Sequence, residues 1–364
     1  MIPRLAFVFL IFALTAVADG PEYGIYENLG LAPEGMSLEA AAVSLRDAIA
    51  ADSGFQLQSE GLVNAPDLVR ENENDRDGRR GYLLVFSDDA YLNSLAAIHP
   101  KYTVAGLLRI GLHEEPGGLR ITCLQPETLA RIVGNDLEED ADYESMAKTG
   151  AAIAERIRIL VGTAMGTEPE GLHMPPLRDT ERIREGKKDM FMMVGPLTYF
   201  RDEGQFPLIH SEAIEGDASA QLAALADRFA ANITAFTPSD KDRKYRWTPN
   251  PEEDLRWRIT ARAEVPGKAI LMGITRARTE ALAMHIAGMK REEGDWRSPG
   301  LDHICAFPIE VLIYVNGDEI QVRSAKEMFR MDQYFWDAGK GAFMKYASMP
   351  AMLDGSVERA LLGK

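Results

Sequence analysis

The sequence is poor in cysteine and in basic residues, and both shortages restrict what the protein can do. Two cysteines among 364 residues exclude a multi-disulfide scaffold and a four-cysteine zinc site. With 40 Lys and Arg against 56 Asp and Glu, the formal net charge is −16. This charge argues against binding to nucleic acid, whose phosphates require basic partners. The hydrophobic content of 46% is typical of a packed globular protein, and the length corresponds to about two domains.

The sequence also lacks the short motifs of common enzymes. It contains no Gly-x-Ser-x-Gly elbow, no Gly-rich phosphate loop and no His-Glu-x-x-His helix. We therefore favour a non-catalytic role, and the sequence implies no particular cofactor. A hydrolase with an unrecognised site stays open as an alternative.

The N-terminal residues have the three parts of a secretory signal peptide. Arg4 supplies positive charge, residues 5–14 are apolar, and residues 16–18 form a small-x-small cleavage site. The apolar run is shorter than the roughly 20 residues that span a bilayer. We expect residues 1–18 to be removed and the protein to be periplasmic or secreted, without stable membrane insertion.

Two segments of the chain resemble each other at a constant spacing of 201 residues. Residues 104–122 and 307–323 each have the pattern of a strand, a Gly-containing turn and a second strand. Asn316-Gly317 favours a tight hairpin, because both residues tolerate positive φ. The spacing pairs apolar positions as follows: Leu108 with Ile309, Ile110 with Val311, Leu112 with Ile313, Leu119 with Ile320 and Ile121 with Val322.

Each copy also begins with an amphipathic helix. Ser37 is the predicted N-cap in the first copy, and Asp217 or Ser219 in the second. The expected apolar side of the first helix comprises Leu38, Val43, Leu45 and Ile49.

These patterns predict an α+β fold of two tandem related units, each an antiparallel sheet with helices packed on one face. The predicted boundaries are a signal peptide at 1–18, a first unit at 19–162 and a second unit at 197–364. Residues 163–196 are rich in charge and proline and are predicted to be a linker.

The pattern resembles the bacterial domain-of-unknown-function family three hundred and two. The residues that carry the resemblance are Gly54-Phe55, 107–110, Gly117-Gly118 and 125–129 in the first copy, and 307–314 with Asn316-Gly317 in the second. The Pro-Glu-x-Leu segment of the first copy is absent from the second. The resemblance implies small exported α+β domains with no settled enzymatic role, and it assigns no catalytic residue.

Four residues of the second copy form a candidate metal site. His303 and Cys305 would share one face if they lie on a strand, where residues two apart point the same way. His285 and Met289 are one helical turn apart. Sulfur and imidazole ligands suit copper or zinc, so a periplasmic copper- or haem-handling protein is an alternative function.

Cys123 and Cys305 are a candidate disulfide, because thiols of exported proteins can pair. Such a bridge would join the two copies. The alternative is that both residues are small buried hydrophobes.

All four tryptophans lie in the second copy, which therefore offers the richer contact surface. Trp336, Tyr334 and Trp257 are candidate binding residues, since Tyr and Trp contribute much interface energy. The alternative for Tyr334 and Trp336 is a helix end packed against the sheet. We predict an exported soluble accessory or binding protein. Its partner, an unknown protein or small molecule, would bind between the units or on the aromatic-rich second unit.

Overall fold

The structure is a computed structural model that describes residues 20–64, 80–115, 117–184, 204–243, 252–285, 301–337 and 349–364. Helices and open antiparallel sheets are both present, so the predicted α+β class is confirmed. No helix within these ranges has both the length and the apolar character needed to cross a bilayer.

The first half of the chain forms a six-stranded antiparallel sheet. Its strands are β2 (Tyr26–Leu31), β3 (Phe55–Asn64), β4 (Arg80–Asp88), β5 (Leu108–Glu115), β6 (Gly118–Leu124) and β7 (Leu172–His173). The order across the sheet is β3-β4-β5-β6-β2-β7. A separate two-stranded ribbon pairs β1 (Glu22–Tyr23) with β8 (Arg178–Asp179).

The first half also contains α-helices and a 3-10 helix. They are α1 (Leu38–Ala51), α2 (Asp89–Ile98), α3 (Pro126–Val133), α4 (Asp140–Met165) and α5 (Thr180–Arg184), with a 3-10 helix, η1 (Pro100–Gly106). The Oγ of Ser37 accepts a hydrogen bond from the N–H of Ala40, which confirms the predicted N-cap of α1. Leu45 and Ile49 are buried as expected, whereas Val43 is 42% exposed and lies outside the apolar face.

The second half of the chain forms a five-stranded antiparallel sheet. Its strands are β9 (Leu208–Ala213), β10 (Arg258–Val265), β11 (Ala269–Thr275), β12 (Ile309–Asn316) and β13 (Glu319–Ser324). The order is β10-β11-β12-β13-β9, so corresponding strands occupy corresponding places in the two sheets.

The helices of the second half follow the same sequence. They are α6 (Ala218–Ala235), α7 (Asp240–Arg243), α8 (Ala277–His285), α9 (Glu327–Tyr334) and α10 (Met349–Leu362), with 3-10 helices η2 (Glu252–Leu255) and η3 (Leu301–Ala306). Asp217 is the N-cap of α6, since its Oδ1 accepts the N–H of Ser219.

The two hairpins have the same register at positions 201 apart. Gly111 faces Thr122 in the first hairpin, and Leu312 faces Arg323 in the second. A tight turn joins β12 and β13 as predicted, but it lies one residue later, at Gly317-Asp318, because Asn316 still pairs with Glu319 as the last residue of β12. Gly317 has a φ of 65°, whereas no residue other than glycine has a positive φ in the described part of the chain.

The halves of the chain pack on each other reciprocally. The 3-10 helix η1 of the first half packs on β11 and β12, and η3 of the second half packs on β4, β5 and β6. The edge strands β3 and β10 also meet, and the N–H of Arg262 donates to Oε1 of Gln58 at 3.1 Å. One continuous cluster of buried apolar side chains therefore runs through both halves.

Part of the predicted linker packs on the first sheet. β7 pairs with β2, and α5 lies against α3. The amide of Asn135 donates to the carbonyl oxygen of Ile183 at 3.4 Å. Residues up to Arg184 are thus attached to the first half, and residues 185–196 lie outside the described part.

Candidate functional site

The predicted metal residues are not arranged as expected. His303 and Cys305 lie in the 3-10 helix η3, so the expected strand is wrong. At three residues per turn, side chains two positions apart point in directions about 120° apart. His303 is fully buried: its Nδ1 is 3.1 Å from the carbonyl oxygen of Ala283 and its Nε2 is 2.9 Å from Oδ1 of Asp337. Both ring nitrogens are therefore occupied by oxygen acceptors.

The other members of that set are separated from His303. The Sγ of Cys305 contacts the first sheet, 3.9 Å from the Oγ1 of Thr122. The backbone of His285 ends α8, its side chain is outside the described residues, and so is the whole of Met289. Within the described ranges, no three His, Cys, Asp or Glu residues converge as a metal site would require.

Cys123 and Cys305 are both buried and are not joined by a disulfide, so the predicted bridge is not formed. Cys123 follows Thr122 on β6, so their side chains point to opposite faces of the sheet. Since Cys305 contacts Thr122, it lies on the face away from Cys123. Burial, followed by the nearby charge of Glu27, raises the pKa of the Cys123 thiol. Both thiols therefore fit the alternative of small core side chains.

The three candidate aromatic residues belong to the core. Trp336, Tyr334 and Trp257 are exposed by only 3%, 1% and 4%, so the expected exposed recognition patch is wrong. The indole N–H of Trp257 donates to Oγ of Ser356 at 3.0 Å. The guanidinium carbon of Arg178, a residue attached to the first half, lies 4.1 Å from the centre of the Trp336 ring. Arg178 therefore covers the face of this ring.

A buried ion pair joins the two halves at their corresponding strands. Arg109 of β5 contacts Glu310 of β12, and these residues are 201 positions apart. Glu310 also binds Arg330 of α9 and accepts the hydroxyl hydrogen bond of Tyr334 at 2.7 Å. Burial opposes ionisation of Glu310, but Arg109 and Arg330 together lower the pKa of its carboxyl group. This pairing therefore fixes the relative position of the two sheets.

Glu327, at the start of α9, extends this network. Its Oε1 accepts from Nε of Arg330 at 3.1 Å, and its backbone N–H donates to Oδ1 of Asp354 at 2.8 Å. Burial raises the pKa of Glu327 to about 7, against the opposing charge of Arg330. Burial also raises the pKa of Asp354. These two carboxyl groups are expensive to ionise where they lie.

A second type of charged cluster occurs once in each half, at corresponding places. In the first half, Asp88 ends β4 immediately before α2, and its Oδ1 caps that helix through the N–H of Tyr91. Arg156 of α4 binds Oδ2 of Asp88 at 2.6 Å and Oδ1 of Asp52 at 2.9 Å. Two carboxylates thus share one guanidinium. We call Asp52, Asp88 and Arg156 the first cluster.

In the second half the corresponding positions carry the opposite balance of charge. Arg276 stands immediately before α8, as Asp88 stands before α2. Its Nη1 lies 3.5 Å from Oδ1 of Asp242 on α7. Arg359 of α10 binds the other carboxylate oxygen of Asp242 at 2.8 Å. Here two guanidiniums share one carboxylate. We call Asp242, Arg276 and Arg359 the second cluster.

The second cluster is the more deeply buried of the two. The side chains of Arg276 and Asp242 are both 0% exposed, and that of Arg359 is 27% exposed. Burial lowers the pKa of Arg276 to about 10; Asp242 opposes this, and Arg278 and Arg359 add to it. Burial opposes ionisation of Asp242, yet hydrogen bonds from Ser239 and Ser356 and the charge of Arg276 lower its pKa to about 2.

Two donors of the second cluster have no hydrogen-bond partner in the described part of the chain. They are Nη2 of Arg276 and Nε of Arg359, and both atoms are buried. The other nitrogens of Arg276 are used: Nε donates to Oγ1 of Thr279 and Nη1 to Oγ of Ser356, each at 3.0 Å. The Trp257 ring lies 4.5 Å from the guanidinium carbon of Arg276 and forms one wall beside it. The cluster can therefore accept an additional hydrogen-bond acceptor.

Sequence reasoning did not single out Arg276, Arg359 or Asp242. The one available signal is the position of Arg276 directly after an apolar strand and before a helix. The first copy has an acidic residue, Asp88, at that place. Because a charged residue at a strand end is usually solvated, this signal alone predicts no site.

Comparison with known proteins gives little further information. We found no match between the sequence and a family model or a curated protein. One similar solved structure is the crystal structure of the uncharacterized conserved protein DUF302 from Bacillus stearothermophilus. It is 9% identical over 39% of this chain and 96% of that chain, with a TM-score of 0.27. A similarity this low supports no statement about function.

Proposed function

We propose that the protein is an exported, non-catalytic binding protein in which the first unit is a scaffold and the second unit holds the ligand. The observation that carries this proposal is the difference between the two clusters. Arg156 of the first cluster satisfies two carboxylates and reaches solvent. The second cluster keeps an extra buried positive charge and two buried donors without a partner among the described residues. Such groups are costly unless something binds to them.

The contact between the two halves supports placing the ligand inside the second unit. Side chains of η3 fill the space above the first sheet, where Gly111 and Gly81 make room for them. A Cβ added at Gly111 would lie 2.8 Å from Sγ of Cys305, and one at Gly81 would lie 3.3 Å from Cδ1 of Ile304. The described contact surface is therefore occupied by the chain's own residues.

We also propose that the two halves are copies of one unit related to the domain-of-unknown-function family three hundred and two. The support is the matching strand order and the hairpin register repeated at a spacing of 201 residues. Export is proposed from the signal-peptide pattern of residues 1–18. Cell fractionation with N-terminal sequencing of the mature chain tests it: a cytoplasmic protein with an intact N-terminus would contradict export.

Binding is tested by thermal unfolding of the purified mature protein with a panel of amino acids, sugars, nucleosides, carboxylic acids and polyamines. We expect at least one class to raise the midpoint of unfolding of the wild-type protein, because a ligand that binds only the native state stabilises it. The variant Arg359→Gln should lose this effect. The matched variant Arg156→Gln, in the first cluster, should keep it. An equal rise in the unfolding midpoint of the wild-type protein, Arg359→Gln and Arg156→Gln would show that the ligand binds elsewhere.

A further inference from the structure

We infer that the ligand of the second unit is a small oxyanion, a carboxylate or phosphoryl group, held between Arg276 and Arg359. This inference rests on the proposed function and assigns that binding site its chemistry. A protein with a net charge of −16 repels anions overall, so an anion site requires a locally positive potential.

Local charge favours an anion at this place. Arg276 and Arg359 together carry two positive charges and Asp242 carries one negative charge, so the second cluster has one positive charge in excess. Arg278 lies close enough to lower the pKa of Arg276, so it adds to the local positive potential. In a buried setting this potential is weakly screened, whereas the acidic side chains of the surface are screened by solvent and salt.

Hydrogen bonding selects an oxyanion over a simple anion. Nη2 of Arg276 and Nε of Arg359 are directional N–H donors, and each lacks an acceptor among the residues that the structure describes. The two guanidiniums already hold opposite oxygens of the Asp242 carboxylate, so their planes are set around an oxygen-bearing group. Arginine forks match carboxylate and phosphate oxygens, which accept two hydrogen bonds at once. Two oxygens of one ligand would therefore satisfy the two free donors.

The surroundings make this a rigid site that opens on one side. Arg276 is held by Thr279 and Ser356 and is backed by the ring of Trp257. Arg359 is the partly exposed member, so the inferred oxyanion would reach the cluster from its side. In the first cluster Arg156 has both of its terminal nitrogens on carboxylates, and an anion has no comparable reason to bind there.

Isothermal titration calorimetry of the full mature protein tests the inference. The probes are sodium acetate and inorganic phosphate, with sodium chloride as the control at equal ionic strength. We expect saturable binding of acetate, of phosphate or of both, and none of chloride. Arg359→Gln should weaken binding by about tenfold or more, the usual effect of removing a charged hydrogen-bond donor. The affinity of Arg359→Lys should lie between those of the wild type and Arg359→Gln, since lysine keeps the charge but lacks the forked guanidinium.

The matched control is Arg156→Gln, which should bind as the wild-type protein does. Circular dichroism and thermal unfolding show whether each variant is folded, and Arg359→Lys provides a milder replacement if Arg359→Gln unfolds. The inference would be overturned if neither acetate nor phosphate binds saturably. It would also be overturned if the wild-type protein and both Arg359 variants bind with equal affinity. A neutral or cationic ligand that requires Arg359 would also overturn it, while leaving the proposed function intact.

Discussion

The first and second clusters occupy the same place in two similar sheets, yet one has two acids around an arginine and the other has two arginines around an acid. In each case the cluster ties the start of a helix to the helix that closes the unit. A charged residue therefore stands at the strand end in both halves, acidic in the first and basic in the second. Asp88 and Arg276, at the strand ends, are both buried, and Arg156 and Arg359 are both partly exposed. What differs is the burial of the remaining acid: the side chain of Asp52 is 35% exposed, whereas that of Asp242 is fully buried.

This difference in burial decides what each cluster costs. Partly exposed charges keep much of their hydration, so an imbalance of one charge is cheap. A buried imbalance is expensive, because the charge has lost water and has no full protein partner. The second cluster is therefore the more destabilising of the two, which fits its proposed role as a binding site.

Asp242→Asn should have the largest effect on stability. It leaves the buried Arg276 and the partly exposed Arg359 without their shared counter-charge, and breaking a buried ion pair costs about 3–5 kcal/mol. We expect a fall of this size in the free energy of unfolding, measured by urea denaturation at neutral pH. A loss below about 1 kcal/mol would mean that the cluster is hydrated, and the contrast with the first half would disappear.

Glu327→Gln should change how stability depends on pH. Position 327 corresponds to Pro126 in the first half, which has no titratable group there. Because the folded pKa of Glu327 is raised from 4.5 to about 7, its contribution is complete below pH 4.5 and is lost as pH rises through 7. The loss is at most about 3 kcal/mol.

The comparison is between urea denaturation of wild type and Glu327→Gln from pH 5 to pH 8. The wild-type protein should become less stable across this range, and the variant should show a flatter profile. Parallel profiles would show that Glu327 does not titrate there.

Asp88→Asn should be less harmful than Asp242→Asn. Asparagine still accepts the N–H of Tyr91 and caps α2, so the change removes mainly the charge. Arg156 keeps Asp52 and reaches water. We expect a loss of about 1–3 kcal/mol, the value of a hydrogen bond to a charged group. A loss equal to that of Asp242→Asn would show that Asp52 and water do not replace the lost partner of Arg156.

Local signals were sufficient to predict the elements of the fold. Ser37 and Asp217 each cap a helix as predicted, and a tight turn follows β12 within one residue of its predicted place, because each depends on the residue itself and its near neighbours. Signals that depend on surroundings were misleading. Trp336 is covered by Arg178, which is remote in sequence. His303 and Cys305 lie in a 3-10 helix, where residues two apart do not point to the same side.

The second cluster could not be predicted for a related reason. Arg276 is 34 residues from Asp242 and 80 from Ser356, and only the folded chain brings them together. Charged residues carry no periodic pattern that marks them as buried, so the sequence favours a solvated surface for all of them. The spacing of 201 residues indicates where the halves correspond, but it does not say that a charge changes sign between them.

Asp52→Asn should have the smallest effect, and it isolates burial most cleanly. Asp52 directly follows α1 and Asp242 lies in α7, and each places one oxygen on an arginine of a later helix, Arg156 of α4 or Arg359 of α10. The side chain of Asp52 is 35% exposed, and the asparagine oxygen can still accept the N–H of Gly54. Exposed ion pairs contribute about 0–1 kcal/mol, so the variant should lose no more than that in urea denaturation, and less at high salt. Because the same chemical change is made at both positions, a several-fold smaller loss at Asp52 than at Asp242 would attribute the difference to burial. Equal losses at the two positions would show that burial does not determine the size of the loss.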